Sequence, residues 1–443
     1  IVRAIRAIGV VRVIAVNKQT IRHHIPKTKE GTYYTLPFPV PQGMEAIKVS
    51  YSYTRLSGKV GRPSNIINVV DLGLLDEKGS FLGWSGSARS SVTVGKYTST
   101  NGYLMTDINP GQWKIIIGAY KIPNHGLDVE YEIEFIPPKP RWFTGDLHMH
   151  STASDGQHDI YTLTRKARKL NLDFIAVSNH NNYSENLHLP IVPGLTLLPA
   201  VEWTHYLGHM NFFGVKTPFE NSFIANSEEE MRNLIADARD KGALISVNHP
   251  KCHLCPYLWK SEDTFDLVEV WNGPMGKRNK RAIAWWHSML SSGRKIPLVG
   301  GSDFHKDKHP VRFGHPVIRI YAPTPSEHDL LQGIAKGHSY VVDSLKGVSL
   351  DMSCGNAIMG DTIKLSGEED LIIKAKGLSP SMEVQLVTEK GISQRWTTFE
   401  KGELYQKIKI DPGWEFGYMK VFKKLFFKEI LHAISNPIYF ERE

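Results

Sequence analysis

Phe174-Ile175-Ala176-Val177-Ser178-Asn179-His180-Asn181 decides how this chain folds. A short apolar run stops abruptly at a polar cluster. A run of that length suits a strand covered on both faces, as in a parallel sheet. The pattern recurs along the chain. Leu195 to Ala200 runs into Glu202, Leu244-Ile-Ser-Val247 into Asn248-His249-Pro250, and Ile296 to Val299 into Ser302-Asp303-Phe-His305. Leu267-Val-Glu-Val270 is a further strand of this type, running into Asn272. Amphipathic segments lie between these runs, at Ile160 to Leu170, Ser227 to Lys241, Arg278 to Ser292 and Ser326 to Lys336. Ser227 and Glu230 have the spacing of a capping box. Repeated strand-then-helix units predict a parallel sheet, open or closed into a barrel.

The flanks have a different texture. Val129-Glu-Tyr131-Glu-Ile133-Glu-Phe135 alternates strictly, as a half-buried strand does. Met44 to Tyr53 and Trp113 to Tyr120 are similar. These features predict an antiparallel β-sandwich over residues 30–140, after an extension at 1–29. Pro137-Pro-Lys-Pro140 closes it as a stiff linker. The strand-and-helix domain then spans 141–344. Leu404 to Ile410 and Met382 to Val387 read as strands of a small C-terminal β-domain at 345–443.

Composition bounds the function classes. The chain has 443 residues, 41% apolar and 22% charged, as expected of two or three globular domains. Its formal charge is +8, yet no dense Lys/Arg stripe interleaved with aromatics marks a nucleic-acid face. Three cysteines are too few for a disulfide framework. No apolar run reaches the ~18 to 20 residues of a membrane span. The chain starts at Ile1 rather than Met, so a removed leader or a truncation is expected. The expected compartment is the cytoplasm, with secretion after leader removal as the alternative.

Thirteen of the 19 histidines lie between residues 146 and 315. His148-Met-His150 places two imidazoles at i and i+2, which point the same way on an extended segment and can share one ion. Gly156 lets the loop bend so that Asp155 returns toward them. Further ligands come from the other strand ends: His180, Glu202, His249, Asp303 and His305. In α/β barrels that end of the sheet is where active sites are built. Glu202 is the candidate for a carboxylate shared between two ions. His209, in Gly208-His209-Met-Asn, is a further ligand candidate, and His205 reads as structural.

These motifs, in this order, resemble the polymerase-and-histidinol-phosphatase (PHP) superfamily: Asp146-Leu-His148-Met-His150-Ser-Thr-Ala-Ser-Asp155-Gly156, Asn179-His180-Asn181-Asn182, Glu202, Gly208-His209-Met-Asn, Asn248-His249-Pro250 and Gly301-Ser-Asp303-Phe-His305. The flanking segments Val70-Asp-Leu-Gly-Leu and Gly83-Trp-Ser-Gly are similar to those of its CehA/McbA, carbaryl-hydrolase-like branch. The resemblance implies an α/β fold with a distorted (β/α)7 TIM-like barrel. It implies one ion at His148, His150, Glu202 and Asp303, and a second at Glu202, His209 and His249. A third, where present, is held at Asp155, His180 and His305. The family commonly has Asp where this chain has Asn179. The amide can still orient His180.

The expected activity is metal-dependent hydrolysis of a phosphoester, by a water that two or three divalent ions make nucleophilic. Glu202, Asp303 and His305 are the expected catalytic residues. A mixed His and carboxylate set suits Mn, Zn or Fe better than Mg or Ca. Lys306 and Arg312, in the basic loop after the last motif, are candidates for holding the substrate, with Asn272 lining the pocket. The expected partner is a small phosphorylated ester rather than a membrane or nucleic acid. The oligomeric state is left open. A carboxylic or carbamic ester hydrolase is the first alternative, and a binding protein with a degenerate site the second. Cys252 and Cys255 read as loop thiols, with a structural zinc site shared with His249 and His253 as the other reading.

Overall fold

The computed structural model describes residues 3–7, 10–15, 17–57, 66–220, 222–365, 367, 369–425 and 428–442. The ends of the apolar N-terminal stretch, Ile1 and Val16, fall outside the described residues. The chain forms two compact units, Ile1–Lys139 and Pro140–Glu443.

The first unit is two antiparallel sheets. One runs in the order Arg3–Ala7, Val10–Ala15, Lys18–Ile25, Leu127–Ile136, Ala46–Tyr53, Ser91–Gly95. The other runs Thr32–Val40, Gly111–Lys121, Val69–Leu75, Phe81–Gly86. Alternate residues of both sheets are buried in one core, among them Ile21, Val49, Tyr131 and Ile133 from the first and Phe38, Leu72, Trp113 and Ile115 from the second. That is the face-to-face packing of a sandwich. Lys18–Ile25 lies inside the first sheet, paired with Leu127–Ile136, so much of the expected extension is strand.

The second unit carries the candidate site. Its strands are β1 (Arg141–Asp146), β2 (Phe174–His180), β3 (Thr196–His205), β4 (Gly208–Phe213), β5 (Leu244–Asn248), β6 (Leu267–Asn272), β7 (Leu298–Gly301), β8 (Val317–Ala322) and β9 (Ser339–Val342). Its helices are α1 (Ile160–Lys169), α2 (Glu228–Asp240), α3 (Lys277–Ser291) and α4 (Glu327–Ala335). Each helix falls where the apolar spacing predicts one. Ser227 Oγ accepts the Glu230 N–H at 3.2 Å. Glu230 reaches back to the Asn226 N–H rather than to Ser227, so the capping box is displaced by one residue.

The sheet departs from the expected closed barrel. Its path is open: β7-β6-β5-β4-β3-β2-β1-β8-β9. The pairs β1–β2, β2–β3, β5–β6 and β6–β7 are parallel. The pairs β3–β4, β4–β5, β1–β8 and β8–β9 are antiparallel. The reversal at β4 has a local cause. His205 pairs directly with Gly208, so only Tyr206 and Leu207 join β3 to β4. A two-residue turn makes a hairpin and leaves no room for a crossover helix.

Beyond β9 the same sheet continues through Lys428–Ser435, Phe416–Leu425, Met382–Thr388 and Gly391–Trp396. Residues 345–443, expected as a domain apart, therefore extend the sheet through the pairing of β9 with Lys428–Ser435. Leu350, Ile373, Leu386 and Val421 share a buried core with Leu163 of α1 and Val177 of β2. No helix among the described residues is long and apolar enough to cross a membrane.

Candidate metal centre

Strand direction gathers the polar clusters. The parallel strands β1, β2, β3, β5 and β7 all end on one side, and β4, being antiparallel, begins there. In register, His180 faces Glu202, and His209 faces both Thr204 and Asn248. The clusters after β1 and β7 are also tied to each other. The Asp303 N–H donates to His148 O at 2.8 Å, and the His150 N–H to Phe304 O at 2.9 Å. Asp146 locks the same junction. Its carboxylate accepts N–H bonds from Ser302 at 2.9 Å, His148 at 3.3 Å and Gly314 at 3.2 Å. Burial pushes its pKa up to about 6 despite those bonds.

Two glycines let backbone approach this closely. A Cβ at Gly301 would lie 2.4 Å from His148 Cβ, and one at Gly156 would lie 2.2 Å from His150 O. The second contact folds the loop back, as expected. Asp155 Oδ1 then stands 3.8 Å from His150 Nδ1, 3.7 Å from His180 Nε2 and 3.3 Å from His305 Nε2.

Glu202 is the hub. Its Oε1 lies 3.4 Å from His148 Nε2, 3.2 Å from His209 Nδ1 and 3.2 Å from His249 Nε2. Its Oε2 lies 3.4 Å from His150 Nε2 and 2.9 Å from His180 Nδ1. Asp303 Oδ1 stands 3.4 Å from His148 Nε2, 3.3 Å from His150 Nε2 and 3.5 Å from His305 Nδ1. Donor atoms within 4.8 Å of one another form overlapping groups. They are His148, His150 and Asp303; His148, Glu202 and His249; His180, Glu202 and His209; His209, His249 and Cys255; and His150, Asp155, His180 and His305.

The donor set fits cations. His148 Nε2 and both nitrogens of His150 are buried without a hydrogen-bond partner. Each such orphan costs about 1–3 kcal/mol, and a coordinated ion would satisfy several together. Protonation states agree. Burial would raise Glu202, but His148, His180 and His209 hold it well below the usual carboxylate range. Asp303 is likewise held low against burial, by His148, His150 and His249. Burial drives His150 down to about 4 against Asp303 and Glu202, so it is neutral, as a ligand must be. His148 goes the other way. Burial lowers it, but Glu269, Glu202 and Asp303 hold it well above the ordinary imidazole range.

Glu269, in the strand that runs into Asn272, is a residue that sequence reasoning did not place among the ligands or their supports. It is buried, and its Oε1 meets His148 Nδ1 at 2.8 Å. Its Oε2 accepts the His249 N–H at 2.8 Å and the Asn272 amide at 3.1 Å. One carboxylate therefore orients two candidate ligands. Asn248 also escaped notice, and its amide donates to Glu202 Oε1 at 2.9 Å. His249 and Asp303 adopt left-handed backbone, φ 30° and 53°, which side chains other than glycine rarely hold without a reason.

The outer candidates divide. Lys306 lines a cleft of about 400 Å³ with Asp155, Asp303, His305, Lys308 and His309. Arg312 is exposed and is not among the residues lining it. Asn272 is fully buried, and its amide supports Glu269 rather than facing a ligand. Asn179 does not orient His180. Its amide joins Ser151, Ser154 and Glu185, while Thr204 Oγ1 meets His180 Nδ1. His205 packs against Trp259, ring centroids 4.7 Å apart, and joins none of the donor groups among the described residues. Cys255 Sγ lies 3.6 Å from His249 Nδ1 and 3.1 Å from Cys252 Sγ. Neither Cys252 nor His253 joins a donor group among the described residues, so the four-ligand zinc reading loses two of its ligands.

No family profile matches this sequence, and no curated protein matches it. Solved structures give distant likenesses. A two-domain protein from Bacteroides vulgatus, containing a predicted PHP-like metal-dependent phosphoesterase, is 16% identical over 67% of this chain and 95% of its own, with a TM-score of 0.40. A proposed metal-dependent phosphoesterase from Bifidobacterium adolescentis is 18% identical over 38% of this chain and 90% of its own, with a TM-score of 0.27. An amidohydrolase from Chromobacterium violaceum is 13% identical over 38% and 89%, also with a TM-score of 0.27. Likenesses at this level carry no functional argument. That argument rests on the side chains themselves.

Proposed function

We propose that this protein is a metal-dependent hydrolase acting on phosphoesters. One observation carries the reading: the buried Glu202 carboxylate is ringed by His148, His150, His180, His209 and His249, with ring nitrogens of His148 and His150 left unpartnered. Glu202 would be shared by two ions, one held with His148, His150 and Asp303 and the other with His209 and His249. Asp155, His180 and His305 are the ligands for a third. Divalent ions held there would supply a nucleophilic water at neutral pH and neutralise charge on the ester oxygens.

The chain's own groups do the rest. Glu269 fixes His148 so that Nε2 faces the centre. Lys306 and Lys308 border the cleft beside Asp303 and His305, where a phosphoryl group's negative charge needs partners. Where the third site is empty, His305, at the cleft wall, would be free to pass a proton to the departing oxygen.

The test is a substrate-by-metal screen. Protein reconstituted with Mn, Zn or Fe is assayed on p-nitrophenyl phosphate, bis-p-nitrophenyl phosphate and p-nitrophenyl acetate. Turnover of a phosphate ester, lost in His150→Ala, supports the reading. Turnover of the acetate alone moves the assignment to carboxylic esters. Less than one bound ion per chain after reconstitution overturns it altogether.

A further inference from the structure

His249 has two faces. Its Nε2 lies 3.2 Å from Glu202 Oε1, toward the proposed metal centre. Its Nδ1 faces the other way, 3.6 Å from Cys255 Sγ. A histidine that binds metal through Nε2 must carry its proton on Nδ1, and that N–H needs an acceptor to fix the ring. For His148 the acceptor is Glu269. For His249, among the described residues, the Cys255 sulfur is the acceptor in contact with Nδ1. The same sulfur donates its own S–H to Cys252 Sγ at 3.1 Å. His249, Cys255 and Cys252 thus form a short chain leading from the metal centre outward.

The two cysteines are already close to bonding geometry. A disulfide needs its sulfurs at about 2.05 Å, roughly 1 Å nearer than they stand. Cys252 closes a turn from His249, its N–H donating to His249 O at 2.8 Å, and His253 and Leu254 separate it from Cys255. Leu254, between them, is 91% exposed, so the turn faces solvent. Both cysteines are half-buried and free, and within reach of a small oxidant.

We propose that Cys255 is the positioning residue of His249, and that a Cys252–Cys255 disulfide withdraws this support, so that retention of the ion at Glu202, His209 and His249 depends on the thiol state. This rests on the metal-hydrolase reading above. With a peroxide as oxidant the step balances. One thiol is oxidised to a sulfenic acid as the peroxide O–O bond breaks and water leaves. The other thiol then attacks that sulfur, the S–S bond forms and a second water leaves. The net change is two thiols and one H₂O₂ to one disulfide and two H₂O. The disulfide sulfur is a poorer acceptor and is drawn toward Cys252, and the His249 ring loses its anchor.

The test measures zinc affinity by competition with a chromophoric chelator, on full-length protein fully reduced or oxidised with stoichiometric peroxide, after desalting. Mass spectrometry reports the disulfide as the loss of two hydrogens. Loss of such a supporting contact costs roughly 10- to 100-fold in metal affinity, and one ion of the oxidised protein should weaken by that factor and recover on reduction. Cys255→Ala should show the weak value even when reduced. Cys252→Ser should keep the affinity of the reduced wild type. Equal affinity in both thiol states, or failure of the disulfide to form, overturns the proposal. So does a thiolate-to-cobalt charge-transfer band in cobalt-loaded protein that disappears in Cys255→Ala, because the sulfur would then be a ligand. If neither state binds ions, the metal-hydrolase reading fails and the proposal falls with it.

Discussion

At the scale of single residues, the ligand-type side chains were legible because chemistry restricts them. Few roles other than metal binding call for His148, His150, Glu202, His249, Asp303 and His305 at successive strand ends. Their supporting partners were not legible, because support depends on where a ring's second nitrogen points. Glu269 and Asn272 share a strand end, and the sequence could not say which faced the centre. The structure gives Glu269 the role: it holds the His148 ring and the His249 backbone. Glu269→Gln should therefore leave the fold intact and weaken ion binding roughly 10- to 100-fold, measured by chelator competition.

The imidazoles also set a pH signature. In metal-free protein, His148, His180 and His249 are raised by their carboxylate neighbours against the effect of burial. Their pairing stabilises that form fully below the ordinary imidazole pKa of about 6.5. The benefit is lost as pH rises through the raised values. Metal-loaded protein needs the same rings deprotonated, so its gain from ions grows with pH. The Tm difference between loaded and metal-free protein should widen from about pH 6 to about pH 8. A constant difference would mean that these rings are not ligands.

At the scale of elements, the four helices were legible from apolar spacing and capping residues, and the central strands from their apolar runs. The β3–β4 hairpin was not, because Tyr206-Leu207 lacks the Asn-Gly chemistry that advertises a two-residue turn. That one turn reverses β4, brings His209 beside Thr204 and Asn248, and breaks the uniform parallel sheet. The junction between the ends of β1 and β7 was equally hidden, because Asp146 looks like one more ligand. It is instead an acceptor for three backbone N–H groups. Asp146→Asn leaves at least one of them facing an NH₂ donor. The expected cost is about 1.5–3 kcal/mol in urea unfolding, with ion content falling in parallel. An unchanged midpoint would remove Asp146 from the framework of the site.

At the scale of the whole molecule, Pro137-Pro-Lys-Pro140 reads as a linker in the sequence, and the two compact units are Ile1–Lys139 and Pro140–Glu443. The continuity after residue 344 was not legible, since alternating strands look alike whether they begin a domain or extend a sheet. Pairing of β9 with Lys428–Ser435 makes the difference. Two truncations test it. Residues 140–443 should be soluble and bind ions. Residues 140–344 should aggregate, because removing the C-terminal strands uncovers the edge of β9 and the apolar face over α1. A soluble, ion-binding 140–344 fragment would restore the smaller domain.

The tie between the ends of β1 and β7 also orders events in time. Asp146 and the Ser302 N–H that it accepts are 156 residues apart in the chain. Closing a loop of that length carries an entropic cost that must be met before the contact returns anything, so long-range junctions of this kind assemble late. His148 and Asp303 sit at that junction and become neighbours only when it closes. Ions would then meet a scaffold that is already built, as cargo of the finished fold rather than its nucleus, and a chelator should strip them and leave the chain folded.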